Sequence, residues 1–284
     1  MQTTQDVIIN FTPTGMIPTR AMTPHVPLSA QEIIEQVHQA NEIGITVTHL
    51  HARDERGAPT YQKAVYARIL EGVRKYCPEL VICLSLSGRN FNEFAKRSEA
   101  IELYPDMGSL TLSSLNFPQQ ASVNDPDMIA KLATKMQEYG VHPELEIFDL
   151  GMINYARYLM RKARITPPFY FNIILGNVAG MQVNAQSIGA ALSQLPADSH
   201  WALGGIGAQQ LPANSIAIAL GGGVRVGLED NLFLDAGRSR LASNADLLRR
   251  VHTLMEIHER KLMTAKAFGN LGFYNSKKRV EATL

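Results

Sequence analysis

Short apolar runs recur along the chain, and segments whose apolar residues have a helical spacing separate them. Each run is bounded by Gly or Pro and is rich in Val, Ile, Leu, Phe or Thr, which is typical of buried β-strands. Strands that alternate with helices form parallel sheets. The eight runs span residues 6–15, 46–54, 80–88, 107–117, 143–151, 169–176, 200–207 and 223–231.

The segments between these runs predict helices. Ser29 and Glu32 have the spacing of a capping box, which predicts that a helix begins there. Asp125 followed by Pro126 predicts the start of another helix, and Gly140 its end. The last helix is predicted over about residues 242–263.

Eight strand–helix units in 284 residues favour a (β/α)8 TIM barrel, an α/β fold, as a single domain over residues 1–284. The competing interpretation is a doubly wound open sheet. No linker rich in Pro, Ser or charged residues divides the chain. In a barrel the active site lies at the carboxyl ends of the strands, so polar residues there indicate chemistry.

Two segments lie outside this repeating pattern. Residues 16–28 contain three prolines and predict a long first loop over the mouth of the barrel. From about residue 265 the sequence predicts a C-terminal extension. The basic patch within it, residues 277–279, indicates a solvated tail or an oligomer contact.

Composition narrows the class of protein. Hydrophobic residues make up 45% of the chain, and a net charge of +1 gives no electrostatic case for nucleic acid or an anionic membrane as partner. The first residues lack the pattern of a signal peptide, and no segment approaches the roughly 20 apolar residues of a membrane span. The two cysteines, Cys77 and Cys83, form no disulfide framework, so we expect a cytoplasmic protein.

The second run, TVTHLHARD, contains two histidines. His49 and His51 share a face because alternate residues of a strand point the same way. Two imidazoles at the carboxyl end of a barrel strand suit a transition metal. The alternative is a pair of packed histidines that are satisfied by hydrogen bonds.

The last run, GVRVGLEDN, adds three charged residues to an apolar, glycine-rich stretch. Glu229 is the candidate third metal ligand, because two histidines and one carboxylate form a catalytic site for a divalent ion. Asp230 is then free as a base, and Arg225 could hold it or an anionic group of the substrate. An Arg–Glu pair on a surface loop is the alternative.

Other predicted strands also end in polar residues, which together describe a polar cup around the proposed metal. Glu146 is the most informative, because an unpaired carboxylate between Leu145 and Ile147 would be costly to bury. The others are Thr14, Ser85, Ser87, Arg89, Ser109, Thr111, Ser113 and Asp149.

These residues lie in motifs that resemble the β-keto acid cleavage enzymes. The motifs are TPTG at 12–15, HLHARDERG at 49–57, LSLSG at 84–88, SLTLSSLNF at 109–117, PELEIFDLG at 143–151, WALGGIG at 201–207 and RVGLEDN at 225–231. The resemblance implies a zinc-binding TIM barrel, usually a homotetramer, with one zinc ion per chain and acetyl-CoA as co-substrate. It implies that a β-keto acid and acetyl-CoA give a CoA thioester and acetoacetate.

The resemblance also implies roles for residues. His49, His51 and Glu229 would bind zinc, while Asp230, oriented by Arg225, would deprotonate acetyl-CoA. The resulting carbanion would add to the keto carbon, and CoA transfer and a retro-Claisen step would follow. The site would be lined by Thr14, Ile17, Ser85, Arg89, Ser109, Thr111 and Glu146.

One departure from the family concerns the substrate. Ile17 stands where the best-known member has a Glu suited to an ammonium group, and Ser109 and Thr111 replace its Thr and Asn. We therefore expect a β-keto acid without an amine. If Arg89 or Arg20 faces the pocket, a second carboxylate on the substrate is favoured.

Two other functions compete with this interpretation. One is a zinc hydrolase on a TIM barrel, which usually has its His-x-His pair on the first strand and more histidines and a lysine on later strands. No later run here has that set, although His200 begins the seventh run. The other is a non-catalytic metal-binding barrel, which would need no base beside Glu229. Manganese, cobalt or nickel would also suit two imidazoles and a carboxylate.

Overall fold

Eight parallel strands close into a barrel in a computed structural model that describes residues 6–278. The barrel strands are β1 Ile9–Phe11, β2 Val47–Leu50, β3 Val81–Leu84, β4 Met107–Thr111, β7 His142–Ile147, β8 Tyr170–Leu175, β9 His200–Gly205 and β10 Gly223–Val226. Strands β5 Leu115–Asn116 and β6 Ala121–Ser122 form a small antiparallel hairpin outside the barrel. Each predicted run overlaps one barrel strand, with β7 beginning one residue before its run, so the TIM barrel is confirmed and the open sheet is wrong.

Helices follow the strands around the outside of the barrel. They are α1 Ala30–Ile43, α2 Lys63–Tyr76, α3 Phe94–Ser98, α4 Pro126–Glu138, α5 Leu150–Arg161, α6 Ala185–Gln194, α7 Gln210–Ala219, α8 Asn244–Ile257 and α9 Ala265–Phe268. Single turns of other helix types cover Glu99–Leu103, Gly207–Gln209 and Gly269–Phe273. No helix in residues 6–278 has the length and apolar character needed to cross a membrane.

The predicted helix starts are confirmed, but the last helix is shorter than expected. The Ser29 hydroxyl accepts a hydrogen bond from the Glu32 amide at 3.2 Å, and Glu32 accepts one from the Ser29 amide at 2.9 Å. Helix α8 ends near His258 instead of residue 263. The helix ends because Glu259 takes a left-handed φ of +53°, and the Arg260 amide donates back to the Met255 carbonyl at 2.9 Å. Beyond this turn the chain pairs with Val7, whose carbonyl accepts from the Met263 amide at 2.9 Å.

Alternate residues of each strand point outward or inward, so the protein has one core between barrel and helices and another inside the barrel. Outward residues such as Leu50, Leu110 and Val226 pack against the helices. Inward residues change in character along the barrel axis. At the N-terminal end they are apolar, as Val47, Val81 and Met107 are, and toward the carboxyl end they are polar. The polar end is where the site lies. Polar residues on the inner face include Asn10, His49, Glu144, Asn172 and Arg225.

The C-terminal segment closes the apolar end of the barrel. Phe268 and Phe273 are fully buried, and their rings stack with centroids 4.2 Å apart. Both rings meet the Tyr170 ring edge-on, at 5.6 and 6.3 Å. The interpretation of a solvated tail is therefore wrong for residues 265–275. Of the basic patch, residues 277 and 278 are exposed and Arg279 lies outside the described residues.

Candidate metal centre and active site

The two histidines and the late carboxylate meet at the polar end of the barrel. His49 lies on β2, His51 follows it, and Glu229 lies in the turn after β10. The two Nε2 atoms are 3.2 Å apart, and His51 Nε2 is 3.1 Å from Glu229 Oε1. One ligand atom from each residue lies within 4.8 Å of the other two. The structure thus brings together residues that are 178 positions apart in the chain.

This arrangement fits a divalent ion. Four ligands at zinc–nitrogen distances of about 2.0–2.1 Å form a tetrahedron with edges of about 3.3 Å. The two short distances at His51 are close to that edge. The second oxygen, Glu229 Oε2, is buried and has no hydrogen-bond partner among the described residues. An atom of this kind is costly to bury unless a cation compensates it.

A buried carboxylate orients the first histidine. Glu144 Oε2 lies 2.5 Å from His49 Nδ1, and Glu144 Oε1 accepts hydrogen bonds from Asn10 at 2.5 Å and Asn172 at 3.1 Å. Glu144 accepts a hydrogen bond from the Nδ1 proton, so Nε2 faces the site, where a bound metal ion would displace the Nε2 proton. Burial alone would lower the pKa of His49, but the carboxylates of Glu144 and Glu229 outweigh burial and raise it to about 9.

Glu144 is a site residue that the sequence motifs did not single out, although its position in the strand carries a signal. Glu144 and Glu146 are alternate residues of the same strand, so both face the barrel interior. Glu144 is completely buried and lies one layer deeper than Glu146. The pattern that drew attention to Glu146 applies with greater force to Glu144.

The second histidine has a different environment. His51 lies next to Glu229 and the Arg53 guanidinium, and no carboxylate in residues 6–278 is bonded to its Nδ1. Burial lowers the pKa of His51 to about 4, and the Glu229 carboxylate offsets this only in part. The imidazole is therefore neutral near pH 7, which is the form that binds metals.

Asp230 is held by a buried arginine. Arg225 Nε donates to Asp230 Oδ2 at 2.8 Å and Nη2 to Asp230 Oδ1 at 3.2 Å, while Nη2 also lies 2.8 Å from Glu229 Oε1. Arg225 is only 2% exposed, so the alternative of a surface pair is wrong. Burial and the neighbouring Glu229 raise the pKa of Asp230 against the opposing effect of Arg225. Asp230 is thus an oriented carboxylate that is more basic than a solvated one.

A cavity of about 340 Å³ opens above these groups. Glu146 faces it and accepts a hydrogen bond from Thr111 Oγ1 at 2.5 Å. The mouth is framed partly by the unpredicted β5–β6 hairpin and partly by the first loop, where Ile17 is 46% exposed. The predicted residues that line the cavity are Ile17, His51, Ser85, Ser87, Arg89, Thr111, Glu146, Arg225, Glu229 and Asp230.

His49 belongs to the proposed metal centre but does not itself line the cavity, and four other predicted residues lie outside the lining as well. Ser109 lies below its wall and accepts a hydrogen bond from the Leu86 amide at 3.0 Å. Thr14 is fully buried behind the wall, and its hydroxyl has no partner in the described part of the chain. Asp149 caps α5 by accepting from the Met152 amide at 3.0 Å, and Ser113 bonds to the adjacent Ser114 carbonyl.

A family model for β-keto acid cleavage enzymes matches residues 6–270, which include every residue of the proposed metal centre. The chain belongs to the β-keto acid cleavage enzyme family. The resemblance found in the sequence motifs is thereby confirmed, and so is the expectation of an enzyme of this class.

Curated relatives of this β-keto acid cleavage enzyme align over most of their lengths. A 3-oxoadipate:acetyl-CoA acetyltransferase of Cupriavidus necator is 35% identical over 273 residues, which cover 95% of each chain. A 3-keto-5-aminohexanoate cleavage enzyme of Fusobacterium nucleatum subsp. nucleatum is 32% identical over 261 residues, covering 92% of this chain and 95% of its own. The apo structure of ObcA has a TM-score of 0.78 at 20% identity over 90% of this chain and 67% of its own, which supports the fold.

The histidine that would have favoured a hydrolase lies elsewhere. His200 is at the start of β9, at the opposite end of the barrel, and its ring packs on Phe268 and Phe273 at 6.3 and 5.7 Å. Among the described residues, the two groups that could hold a metal both contain His49 and neither contains His200. The second group pairs His49 with Cys83 and Glu144 deeper in the barrel.

Proposed function

We propose that this protein condenses a β-keto acid with acetyl-CoA and releases acetoacetate and the CoA thioester of the remaining acyl group. The observation behind this proposal is the position of Asp230, a buried carboxylate held by Arg225 in the cavity that His51 and Glu229 of the proposed metal centre also line. Three curated relatives, at 35%, 27% and 28% identity, have names that include both an oxo acid and acetyl-CoA. A zinc ion, one per chain at His49, His51 and Glu229, would act as a Lewis acid on the keto oxygen of the substrate.

The products determine which proton Asp230 removes. Acetoacetate contains C1 and C2 of the keto acid joined to the acetyl group, so C2 must attack the acetyl carbonyl carbon and expel the CoA thiolate. The thiolate then attacks the keto carbon, and the C2–C3 bond breaks. C2 keeps the electron pair and regains a proton. If the acetyl methyl carbon attacked the keto carbon instead, the acetyl carbons would end in the acyl product. We therefore propose that Asp230 removes a proton from C2 of the keto acid. This replaces the expectation from the family resemblance that Asp230 deprotonates acetyl-CoA.

The side chains of this protein support that proton transfer. The two hydrogen bonds from Arg225 fix the Asp230 carboxylate, and its raised pKa makes it a better proton acceptor. Ser85, Thr111 and Glu146 line the cavity and would position the substrates. Ile17 brings no charge to the mouth, so we propose a substrate without an ammonium group. Cytoplasmic location and the homotetramer stay predictions, the latter testable by light scattering of the purified protein.

The test compares two variants that separate chemistry from metal binding. Asp230→Asn should lower kcat for acetoacetate formation by about 10³-fold, within the range for loss of a general base, while one zinc per chain is retained. His49→Ala should lose both zinc and activity. Asp127→Asn, an exposed carboxylate on α4, serves as the control and should change neither.

Three results would contradict the proposal. Full activity of Asp230→Asn would remove the assigned base. Release of free CoA without acetoacetate would indicate a hydrolase. Bound zinc without turnover of any keto acid in a panel of aminated, uncharged and dicarboxylate substrates would indicate a metal-binding barrel.

A further inference from the structure

One cation in the cavity, Arg89, has no hydrogen-bonded or ion-paired partner for its guanidinium among the described residues. Arg89 lies beyond the end of β3 and lines the cavity, and its Nε is buried without a hydrogen bond in the described residues. Its backbone amide donates to Ser87 Oγ at 3.3 Å, but no hydrogen bond or ion pair in residues 6–278 involves its guanidinium. Burial lowers the pKa of Arg89, although the charges of Glu229, Glu146 and Asp230 oppose this.

The neighbouring arginines are committed to other groups. Arg225 is bonded to Asp230 and Glu229. Arg97 donates to the carbonyls of Leu86 at 2.9 Å and Val123 at 3.0 Å. Arg20 donates to a carbonyl of its own loop, pairs with Glu32 and does not line the cavity. Arg225 keeps one nitrogen, Nη1, without a partner in the described part of the chain, but its charge is already paired with two carboxylates. Of the two arginines that line the cavity, Arg89 is therefore the one whose charge forms no ion pair in residues 6–278.

An aromatic platform holds Arg89 in place. Its guanidinium carbon lies 3.6 Å from the centroid of the Phe117 ring, and Phe117 meets Phe148 edge-on at 5.7 Å. A guanidinium stacked by its face keeps its N–H edge free, and that edge matches the two oxygens of a carboxylate. The stack therefore prepares Arg89 to bind an anion without the cost of ordering a flexible side chain.

The anion must be a part of the substrate distant from the reacting carbons. The first carboxylate and the keto group of a β-keto acid belong at the metal and beside Asp230, where the chemistry takes place. Arg89 and Phe117 lie instead with the hairpin that frames the cavity. Resting on the proposed function, we propose that Arg89 binds a carboxylate at the far end of the β-keto acid, so that the enzyme selects β-keto dicarboxylates.

The test uses two substrates with the same six-carbon chain. 3-Oxoadipate has the distal carboxylate and 3-oxohexanoate lacks it. The wild-type enzyme should have a kcat/KM for 3-oxoadipate about 100-fold above that for 3-oxohexanoate. Arg89→Gln should lower only the value for 3-oxoadipate, about 10- to 100-fold and mainly through KM, because it removes hydrogen bonds to a charged group. Arg89→Lys should restore part of it, and Arg20→Gln should leave both values unchanged.

A binding measurement keeps this test independent of turnover. By calorimetry, the unreactive adipate should bind the wild-type protein at least about 10-fold more tightly than hexanoate, and Arg89→Gln should abolish the difference. Equal loss for both keto acids, with a raised KM for acetyl-CoA, would mean that Arg89 binds a phosphate of CoA and would overturn the proposal. Equal binding of adipate and hexanoate would also overturn it. Absence of acetoacetate from every keto acid would count against the proposed function alone.

Discussion

The hydrogen bond at His49 Nδ1 determines what the other side of the ring can do. Glu144 holds that nitrogen at 2.5 Å, so Nε2 faces His51 and the proposed metal centre. Glu144 is in turn fixed by Asn10 and Asn172, which bond to its second oxygen. Each residue in this chain of contacts is buried, so the orientation of the metal-binding nitrogen is set before any ion arrives.

Replacing Glu144 should therefore weaken metal binding without removing a ligand. We expect Glu144→Gln to lower zinc affinity by about 10- to 100-fold, the usual effect of losing the carboxylate behind a metal-binding histidine. Competition with a chromophoric chelator would measure it. Glu146→Gln, two residues further along the same face, is the matched control and should keep the wild-type affinity. An unchanged affinity in Glu144→Gln would contradict this account.

At the scale of elements, the first βα loop is fastened to the metal centre. Arg53 donates to the Gly15 carbonyl from Nε at 3.0 Å and Nη2 at 2.6 Å, and to the Pro18 carbonyl at 3.1 Å. Gly15 has a φ of +64°, and a Cβ there would lie 2.5 Å from Glu229 Cγ. Only glycine therefore lets the loop pass so close to the proposed ligand.

Loss of this fastening should loosen the loop. Arg53→Met would leave buried carbonyls without donors, and we expect the free energy of unfolding to fall by about 3 kcal/mol. Hydrogen exchange around residues 15–18 should accelerate at the same time. Arg56→Met, at an exposed position in the next turn, should produce neither change. Wild-type protection of the loop in Arg53→Met would show that other contacts hold it.

The C-terminal segment supports the barrel from its other end. Phe268→Ala removes a fully buried ring from a cluster with Phe273 and Tyr170, and it should cost about 3–5 kcal/mol in chemical denaturation. Leu271→Ala, in the same segment but 46% exposed, should cost less than about 1 kcal/mol. Similar costs for the two variants would mean that the segment does not seal the barrel.

The strands could be predicted from the sequence, but the roles of Arg53 at the first loop and of Phe268 and Phe273 at the barrel end could not. The apolar residues of a buried strand and the turn residues beside it are consecutive in the sequence, so each run located one strand. The function of Arg53 depends on carbonyls more than 30 positions away. Phe268 and Phe273 are five residues apart, which matches neither a helical nor a strand period, and the barrel end that they fill is formed by other strands.

At the scale of the whole molecule, barrel closure creates the site. Strand β1 pairs with both β10 and β2, so the last strand and the second become near neighbours. This closure places Glu229 beside His51 at the polar end, whereas Arg225 and Asp230 are already neighbours within one local segment. The residue types and their alternation along the strands were enough to predict which side chains form the site. Their distances, the deeper Glu144 and the aromatic platform of Arg89 depended on a closed barrel that no local pattern specifies.

Metal binding should consequently stabilise the whole domain. A ligand at 100 times its dissociation constant adds about 2.7 kcal/mol to the folded state, which in a chain of this length raises Tm by about 5 °C. We expect protein treated with a chelator to show that rise when zinc is restored. His49→Ala should show no rise, and an equal rise in that variant would place the zinc elsewhere.

In the proposed reaction the acetyl group of acetyl-CoA becomes part of acetoacetate. The most direct test supplies acetyl-CoA labelled with ¹³C at both acetyl carbons, together with an unlabelled β-keto acid, and follows both products by NMR. We expect both labels at C3 and C4 of acetoacetate and an unlabelled acyl-CoA. Label in the acyl-CoA, or in free acetate with unlabelled acetoacetate, would contradict the mechanism.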